Sequence, residues 1–313
     1  MFFLSSFFLL IFVLIGVAYY TLLERKMLGY IQSRSGPNKL GFKGLFQPFS
    51  DALSLFSKEF NYFYFGNYLI FYFMPFLMFI FSLIYWFMYI LWLNFISFEL
   101  GGLFLFSLLG FSVYFTMISG WSSMSLYSLL GGMRSISQSI SYEVSFYMIF
   151  ILFFLVIGSF NFLLFYYFQL YMWFMFFFFP LFFIFFSSVL AESNRSPFDF
   201  SEGESELVSG FNVEYSSIWF SLFFLSEYGL MMFMSYLGCL MFMCSDLYSI
   251  FFFISIIFLS FVFIWVRSSF PRYRYDKLMM LNWKLYLPLI LNFFFCFIIF
   301  LMYIYFIKFS NFF

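Results

Sequence analysis

The sequence predicts an all-α membrane protein, and three observations carry that prediction. Of its 313 residues, 65% are hydrophobic, whereas a soluble globular domain is roughly 45–50% apolar. Only 9% are charged, and the mean hydropathy is +1.01. Uncharged apolar runs of ~20 residues, the length that crosses a membrane as a helix, recur along the chain. We therefore expect a polytopic bundle of transmembrane helices.

Eight apolar runs define the expected spans, and no internal repeat or long linker divides them. The predicted spans are 2–23, 68–93, 100–119, 136–158, 171–191, 216–243, 247–266 and 286–307. Pro75 and Pro180 fall within two of them, where neighbouring helices can satisfy the freed carbonyl groups. Residues 1–313 are therefore expected to form a single membrane-embedded domain.

The composition also bounds the function. The net charge is zero, so the total gives no electrostatic footprint for nucleic acid. The chain has no histidine, which excludes any mechanism that needs an imidazole. Cys239, Cys244 and Cys296 lie in apolar runs without metal-ligand spacing, so we expect thiols that pack or face lipid, and we predict no metal site.

The first span and the phenylalanine content indicate where the protein is made. Span 2–23 is uncharged and long enough to cross a membrane, unlike a cleaved signal with its basic start and core of about 7–15 apolar residues. No Arg-rich transit peptide is present. The 65 phenylalanines are typical of an AT-rich genome, since phenylalanine codons are T-rich. We expect an organelle-encoded protein.

Basic residues are distributed unequally between the two sides of the predicted bundle. Of the 14 Lys and Arg residues, all but Lys308 fall in the loops after the first, third, fifth and seventh spans. The positive-inside rule places these odd-numbered loops on the inner side of the membrane, in the matrix or the cytoplasm.

The first inner loop is predicted to contain a short amphipathic helix. Residues 36–38, Gly-Pro-Asn, have turn chemistry, and Pro48 is suited to the first helical position. The apolar positions that follow, spaced i, i+3, i+4 and i+7, are Phe49, Ala52, Leu53 and Phe56. Such a helix lies at a membrane interface with its apolar face inward. It serves either as a surface anchor or as a lip beside a site for a lipid-like substrate.

Two acids fall inside predicted spans. Glu143 lies about seven residues, ~10 Å, into its span, and Glu227 about eleven residues, ~16 Å, into its own. A carboxylate within a membrane is costly and by default marks an ion or proton path. The alternative is a protonated glutamate that is hydrogen-bonded for packing.

Residues 191–215, AESNRSPFDFSEGESELVSGFNVEY, contain six of the 14 acids. Carboxylates this close repel, so we expect some to hold protons and the group to titrate as a set. A solvated loop is the alternative. Interleaved apolar residues such as Phe198, Phe200 and Phe211 favour a segment packed among helices, and the acids then indicate a proton relay that needs no histidine.

The triplet Glu24-Arg25-Lys26 closes the first span. Most such clusters are stop signals whose long side chains reach the interface. A site residue among them is the alternative.

Several stretches, spread over essentially the whole chain, resemble the subunit 1 family of the proton-pumping NADH:ubiquinone oxidoreductase, respiratory complex I. They are TLLERKMLGYIQSRSGPNKLG, QPFSDALSLFSKE, GWSSMSLYSLLGGMRSISQSISYEVS, AESNRSPFDFSEGESELVSGFNVEYSS and SSFPRYRYDKLM. Two departures from the family pattern are Ser54 and Ser35, where the family commonly has lysine.

The resemblance implies an eight-helix membrane subunit that forms the membrane part of the ubiquinone chamber and begins an acidic route into the membrane arm. Residues matching the charged lining of the chamber are Arg25, Asp51, Arg134, Arg195 and Arg274. Residues matching the proton path are Glu143, Glu192, Asp199, Glu202, Glu204, Glu206, Glu214 and Glu227. The family thereby favours Arg25 as a site residue over a stop signal.

The resemblance also implies partners and location. Ubiquinone is the expected substrate, while NADH, FMN and the iron–sulfur clusters belong to partner subunits. Expected partners are the peripheral subunits at the quinone site, the neighbouring membrane-arm subunits and lipids, and no nucleic acid. The expected location is the mitochondrial inner membrane, with the odd-numbered loops in the matrix and both termini in the intermembrane space.

Two other classes of function remain open from the sequence. One is a stand-alone proton-coupled secondary transporter, although such folds usually show internal repeats and broken helix pairs. The other is a membrane anchor subunit of a related hydrogenase-type complex.

Overall fold

The structure, a computed structural model, describes residues 2–59, 66–89, 99–201, 203 and 210–310, with side chains from 4 to 303 within these ranges. Throughout this part of the chain every regular element is helical, so the predicted all-α fold is confirmed. The α-helices are α1 (Phe2–Ile31), α2 (Gln47–Phe56), α3 (Tyr68–Tyr85), α4 (Gly101–Ser122), α5 (Leu126–Ile157), α6 (Leu164–Phe168), α7 (Phe174–Phe177), α8 (Phe179–Glu192), α9 (Ser217–Phe242), α10 (Ile250–Ser269), α11 (Tyr275–Met280) and α12 (Leu287–Ser310). A π-helix, Leu281–Tyr286, joins α11 to α12.

Seven helical stretches of the described chain are long and apolar enough to cross a membrane. The predicted span 171–191 is instead divided between α7 and the 14-residue α8. Pro180 lies in the first turn of α8, and a proline cannot continue a helix because it lacks an N–H and clashes with the preceding turn. The count of eight spanning helices therefore stays a prediction.

Several predicted helix ends are wrong. Helix α1 continues past its charged triplet to Ile31, and α5 begins at Leu126, ten residues before the predicted start of its span. Ser125 caps α5 by accepting a hydrogen bond from the Ser128 N–H, and a capped first turn can carry polar residues that a hydropathy count excludes. Arg134 therefore lies on a helix and not in a loop.

Contacts between distant segments place the helix ends at two opposite ends of the bundle. At one end the Gln169 amide donates to the carbonyls of Leu240 and Met241, in the last turn of α9. At the other end the Tyr273 N–H donates to the Pro197 carbonyl. We call this second end, where α1, α8 and α10 finish and α5 and α9 begin, the charged end. The chain from Gln169 through α7 and α8 runs from one end of the bundle to the other, although its helix is interrupted between α7 and α8.

Buried aromatic side chains fill the space between the helices. The main cluster lies among α5, α8 and α9, with ring centroids of Phe146 and Phe185 5.5 Å apart. A smaller cluster forms where α3 meets the start of α9, and there Tyr215 stacks on Phe71 at 4.0 Å. The Tyr215 hydroxyl also donates to the Phe71 carbonyl at 3.2 Å. This contact holds the turn at residues 210–215, where the acid-rich segment ends.

Glycine permits a close approach between α5 and that same turn. A side chain at Gly131 would place its Cβ 2.8 Å from the Phe211 nitrogen and 2.9 Å from the Gly210 Cα, both backbone atoms. At neighbouring Gly132 the nearest atom to a Cβ would be 3.5 Å away, an ordinary contact. The sequence Gly-Gly thus contains one position that requires glycine for space and one that does not.

We expect Gly131→Ala to destabilise the subunit and Gly132→Ala to be tolerated. The added methyl at Gly131 must displace backbone, and overpacking of this kind costs ~1–3 kcal/mol. The measurement is the thermal denaturation of the protein in a homologue that shares both glycines. Equal stability of the two variants would contradict the packing described here.

Candidate functional site

A cavity of about 440 Å³ lies between α1, α2 and α9 at the charged end. Most of its walls are apolar, and these residues include Val17, Ala18, Leu28, Ala52, Leu55, Phe56, Phe220, Phe224 and Leu225. Its charged lining consists of Glu24, Arg25, Asp51 and Arg267. The cavity therefore has largely apolar walls and one compact set of charged side chains.

The helical period of α1 explains why Glu24 faces the bundle. Val13, Val17 and Tyr20 are buried, and Glu24 continues this stripe at the i+4 position from Tyr20. Glu24 is only 6% exposed, and Arg267 of α10 donates a hydrogen bond to its carboxylate in an ion pair. A buried carboxylate needs such a partner, so the end of α1 is joined to the end of α10.

Arg25 is one residue further around α1 and half exposed, and it forms an ion pair with Asp51 of α2. The Gln47 amide donates to the other Asp51 oxygen at 2.9 Å. These contacts turn Asp51, with Ala52 and Leu55, toward the cavity. The short helix predicted after Gln47-Pro48 is thus present as α2, whereas its position at a membrane interface stays a prediction.

The loop between α1 and α2 doubles back on the end of α1. Gly36 and Gly44 have φ values of 62° and 77°, in the region that glycine adopts without strain. A Cβ at Gly44 would lie 2.3 Å from the Pro37 carbonyl oxygen. The Lys26 ammonium also donates to the Lys43 carbonyl at 2.6 Å. The loop therefore holds α2 against the cavity.

A buried ion pair lies behind the cavity wall. Arg195 donates to Glu227 with 3.4 Å between Nη2 and Oε2, and the two side chains are 7% and 9% exposed. The guanidinium carbon of Arg195 stands 4.4 Å from the ring centroid of Tyr228, a cation–π contact. Because Tyr228 lines the cavity, the pair adjoins it through a single aromatic ring.

A second polar cluster surrounds Glu143 on α5. The Tyr147 hydroxyl donates to the Glu143 carboxylate. Opposite, a Cβ at Gly110 would lie 3.5 Å from Glu143 Oε1, so α4 leaves space in front of this oxygen. Glu192, which is 9% exposed, interacts electrostatically with both Glu143 and Tyr85. A buried carboxyl group, Glu192, and a half-buried one, Glu143, thus interact in one polar region.

The end of α8 connects two clusters: the charged groups at and behind the cavity wall, and the polar groups around Glu143. Glu192 is the last residue of α8, and Arg195 follows three residues later. The first interacts with Glu143 and the second pairs with Glu227. A single turn of chain therefore presents one ionisable group to each cluster.

The remaining predicted site residues differ in exposure and in their ionic partners. Asp199 pairs with Arg272 at 3.3 Å, whereas Arg274 is 79% exposed at its side chain and pairs with the exposed Asp276. Arg134 and Glu214 are partly buried. Three predicted acids, Glu202, Glu204 and Glu206, lie outside the described residues. Ser54 and Ser35 are exposed, and the Ser54 hydroxyl donates to the Asp51 carbonyl.

Sequence reasoning missed four residues that complete the two clusters: Glu24, Arg267, Tyr228 and Tyr147. Two of them carry a local signal, because Glu24 falls on the buried stripe of α1 and Tyr147 lies one helical turn after Glu143. Arg267 carries none, since its partner is 243 residues away in the sequence.

A sequence model of one protein family, described as NADH dehydrogenase, matches residues 4–298. The chain belongs to the NADH dehydrogenase family. Its relatives include proteins named NADH-ubiquinone oxidoreductase chain 1. That of Anopheles gambiae is 53% identical over 294 residues, covering 94% of each chain, and that of Locusta migratoria is 54% identical over 298 residues, covering 95% of each. The hagfish Myxine glutinosa has one that is 44% identical over 92% of each chain.

No cluster of three or more Cys, Asp or Glu side chains with the arrangement to hold a metal ion occurs among the described residues. The chemistry that this part of the chain offers is therefore that of paired carboxylates, guanidinium groups and tyrosine hydroxyls around an apolar cavity.

We expect Glu227→Gln to reduce the stability of the subunit strongly. Removing one partner of a buried ion pair leaves an uncompensated charge and costs ~3–5 kcal/mol. The matched control is Asp276→Asn, which breaks the exposed pair with Arg274 and costs ~1 kcal/mol or less.

The amount of assembled enzyme and its denaturation temperature measure both variants. The double variant Arg195→Met with Glu227→Leu should recover part of the loss, because no unpaired charge remains. Equal effects of Glu227→Gln and Asp276→Asn would show that the Arg195–Glu227 pair is not buried in the assembly.

Proposed function

We propose that this chain is the membrane subunit of a mitochondrial NADH–ubiquinone oxidoreductase, that its cavity takes up ubiquinone, and that its buried acids carry protons into the membrane arm. The family and the spanning helices make it a membrane subunit of that enzyme. The single observation that supports the quinone role most is the cavity between α1, α2 and α9, with its apolar walls and charged group.

The cavity matches the chemistry of a quinone. Small-molecule pockets typically measure about 300–1,000 Å³ and are largely apolar with a few polar groups that orient the ligand. An apolar tail would contact the phenylalanine and leucine walls, such as Phe220 and Phe224. The carbonyl oxygens of the head accept hydrogen bonds, and Arg25 and Arg267 are donors on the lining.

The pairing within the cavity decides which arginine is free to respond to a ligand. Arg267 is held by the buried Glu24, whereas the Arg25–Asp51 pair is half exposed. An exposed ion pair is weak, so a quinone carbonyl can compete with Asp51 for the Arg25 guanidinium. Arg25 is therefore the residue we assign to quinone binding at this position.

The proton route that we propose starts at the end of α8. The buried Glu192 interacts electrostatically with the half-buried Glu143, and the Tyr147 hydroxyl donates to Glu143. Carboxyl groups and hydroxyls that reach one another through hydrogen bonds, directly or through one water, can pass protons. The Arg195–Glu227 pair and Tyr228 lie between this region and the cavity. A change of charge on the quinone therefore acts on Glu192 and Glu143 electrostatically, through this ion pair.

The rest of the enzyme supplies what this chain does not. We assign NADH, FMN and the iron–sulfur clusters to partner subunits, with the peripheral subunits covering the charged end. The positive-inside rule places that end in the matrix and both termini in the intermembrane space of the inner membrane.

We expect Arg25→Ala to weaken turnover with long-tailed quinones. A hydrogen bond from a charged donor contributes ~1.5–3 kcal/mol, so kcat/KM should fall about tenfold to a hundredfold. Steady-state kinetics with long- and short-tailed quinones measure it. Lys58→Ala, which removes an exposed charge just beyond α2, is the control. Unchanged kinetics in Arg25→Ala would return this residue to the role of a stop signal.

We expect Glu143→Gln to lower quinone reduction and the coupled proton pumping while the enzyme still assembles. The amide keeps the shape and the hydrogen bond to Tyr147 but cannot exchange a proton, with a loss of up to ~10²-fold. Glu99→Gln, at an exposed position on the opposite end of the bundle, is the control. Wild-type turnover and pumping in assembled Glu143→Gln would exclude the relay.

A further inference from the structure

A buried glutamine on α5 holds the segment that carries Glu192 and Arg195. Gln138 is fully buried. Its Nε2 donates to the Ala191 carbonyl at 2.8 Å and to the Phe198 carbonyl at 2.7 Å. One amide group therefore joins two points that are seven residues apart along an irregular stretch of chain.

The two acceptors bracket the residues that connect the polar clusters. Ala191 directly precedes Glu192, and the Phe198 N–H donates to the Arg195 carbonyl at 2.8 Å. Fixing the backbone at both points fixes where the Glu192 and Arg195 side chains leave the chain. A carbonyl in the last turn of a helix also has no partner within the helix, and that of Ala191 accepts both from Gln138 and from the Asn194 N–H at 3.2 Å.

Other contacts also hold this segment, and one of them comes from α5, where the Tyr142 ring centroid lies 6.1 Å from that of Phe198. Tyr273 donates its N–H to Pro197, and Arg272 pairs with Asp199. Both partners come from the connection after α10. Glu143, with which Glu192 interacts electrostatically, lies on α5 five residues beyond Gln138. The glutamine therefore supplies two direct hydrogen bonds between the helix that carries Glu143 and the segment that carries Glu192.

We propose that Gln138 is a positioning residue for the proton route, which holds Glu192 toward Glu143 and Arg195 toward Glu227 by its two donated hydrogen bonds. This inference rests on the proposed function of the acids. Gln138 itself contacts no substrate and exchanges no proton. Its amide supplies both donors at once, which neither a methionine of similar size nor an ionised glutamate can do.

The test is Gln138→Met in the assembled enzyme of a homologue that shares these residues. Small misplacements of reacting groups can cost up to ~10²-fold in rate, so we expect turnover per assembled enzyme to fall about tenfold or more. KM for quinone should change less than twofold, since the cavity lining is untouched. Ser145→Ala, which removes a buried hydroxyl bonded within α5, should leave turnover unchanged.

A purely structural role predicts a different result, namely less assembled enzyme with normal turnover per enzyme, and that result would overturn the proposal. If Gln138→Met does not assemble, Gln138→Asn serves instead, because it keeps the amide but shortens its reach by one methylene. Reduced turnover of assembled Gln138→Asn supports the positioning role, and wild-type turnover refutes it.

Glu192→Gln separates this inference from the proposed function. If Glu192→Gln and Gln138→Met both keep full turnover, the acid route itself fails. If Glu192→Gln lowers turnover and Gln138→Met does not, only the positioning role fails. If Gln138 acts through the Glu192 carboxyl group, the double variant should turn over no more slowly than the slower of the two single variants.

Discussion

The ion pair between Arg195 and Glu227 is the contact on which the arrangement of the charged end depends. Both side chains are more than nine-tenths buried, and an ionised group in such surroundings is unstable without a partner. The pair therefore ties the segment after α8 to the middle of α9. Glu192, one turn earlier in the chain, interacts instead with Glu143 of α5.

The same requirement accounts for the other charged contacts of the bundle. Glu24 is buried because it lies on the packed stripe of α1, and Arg267 reaches it from α10. Arg25 and Asp51 form the half-exposed counterpart that brings α2 over the cavity. A protein with few charges thus uses them in pairs that join separate helices, and the cavity lies where these pairs meet an apolar wall.

The two clusters differ in a way that matters for function. On the cavity lining the carboxylates Glu24 and Asp51 each have a cationic partner, and in the proposed function this region binds and orients the quinone. Around Glu143 the Tyr147 hydroxyl donates to the carboxylate, and a second carboxyl group, that of Glu192, interacts with it electrostatically; in the proposed function this region exchanges protons. Tyr228 lies on the cavity wall and contacts Arg195, which pairs with Glu227, so charged and aromatic groups connect the cavity to the segment that carries Glu192.

Much of this was readable from the sequence. Composition determined the membrane class, apolar runs located most of the spans to within about ten residues, and the motifs identified the family. What only the tertiary structure decided is which charges meet. Glu24 and Arg267 are 243 residues apart, and Arg195 and Glu227 are 32 apart. Hydropathy and helical period describe neighbours along the chain, whereas the need to neutralise a buried charge is met by whichever helix packs against it.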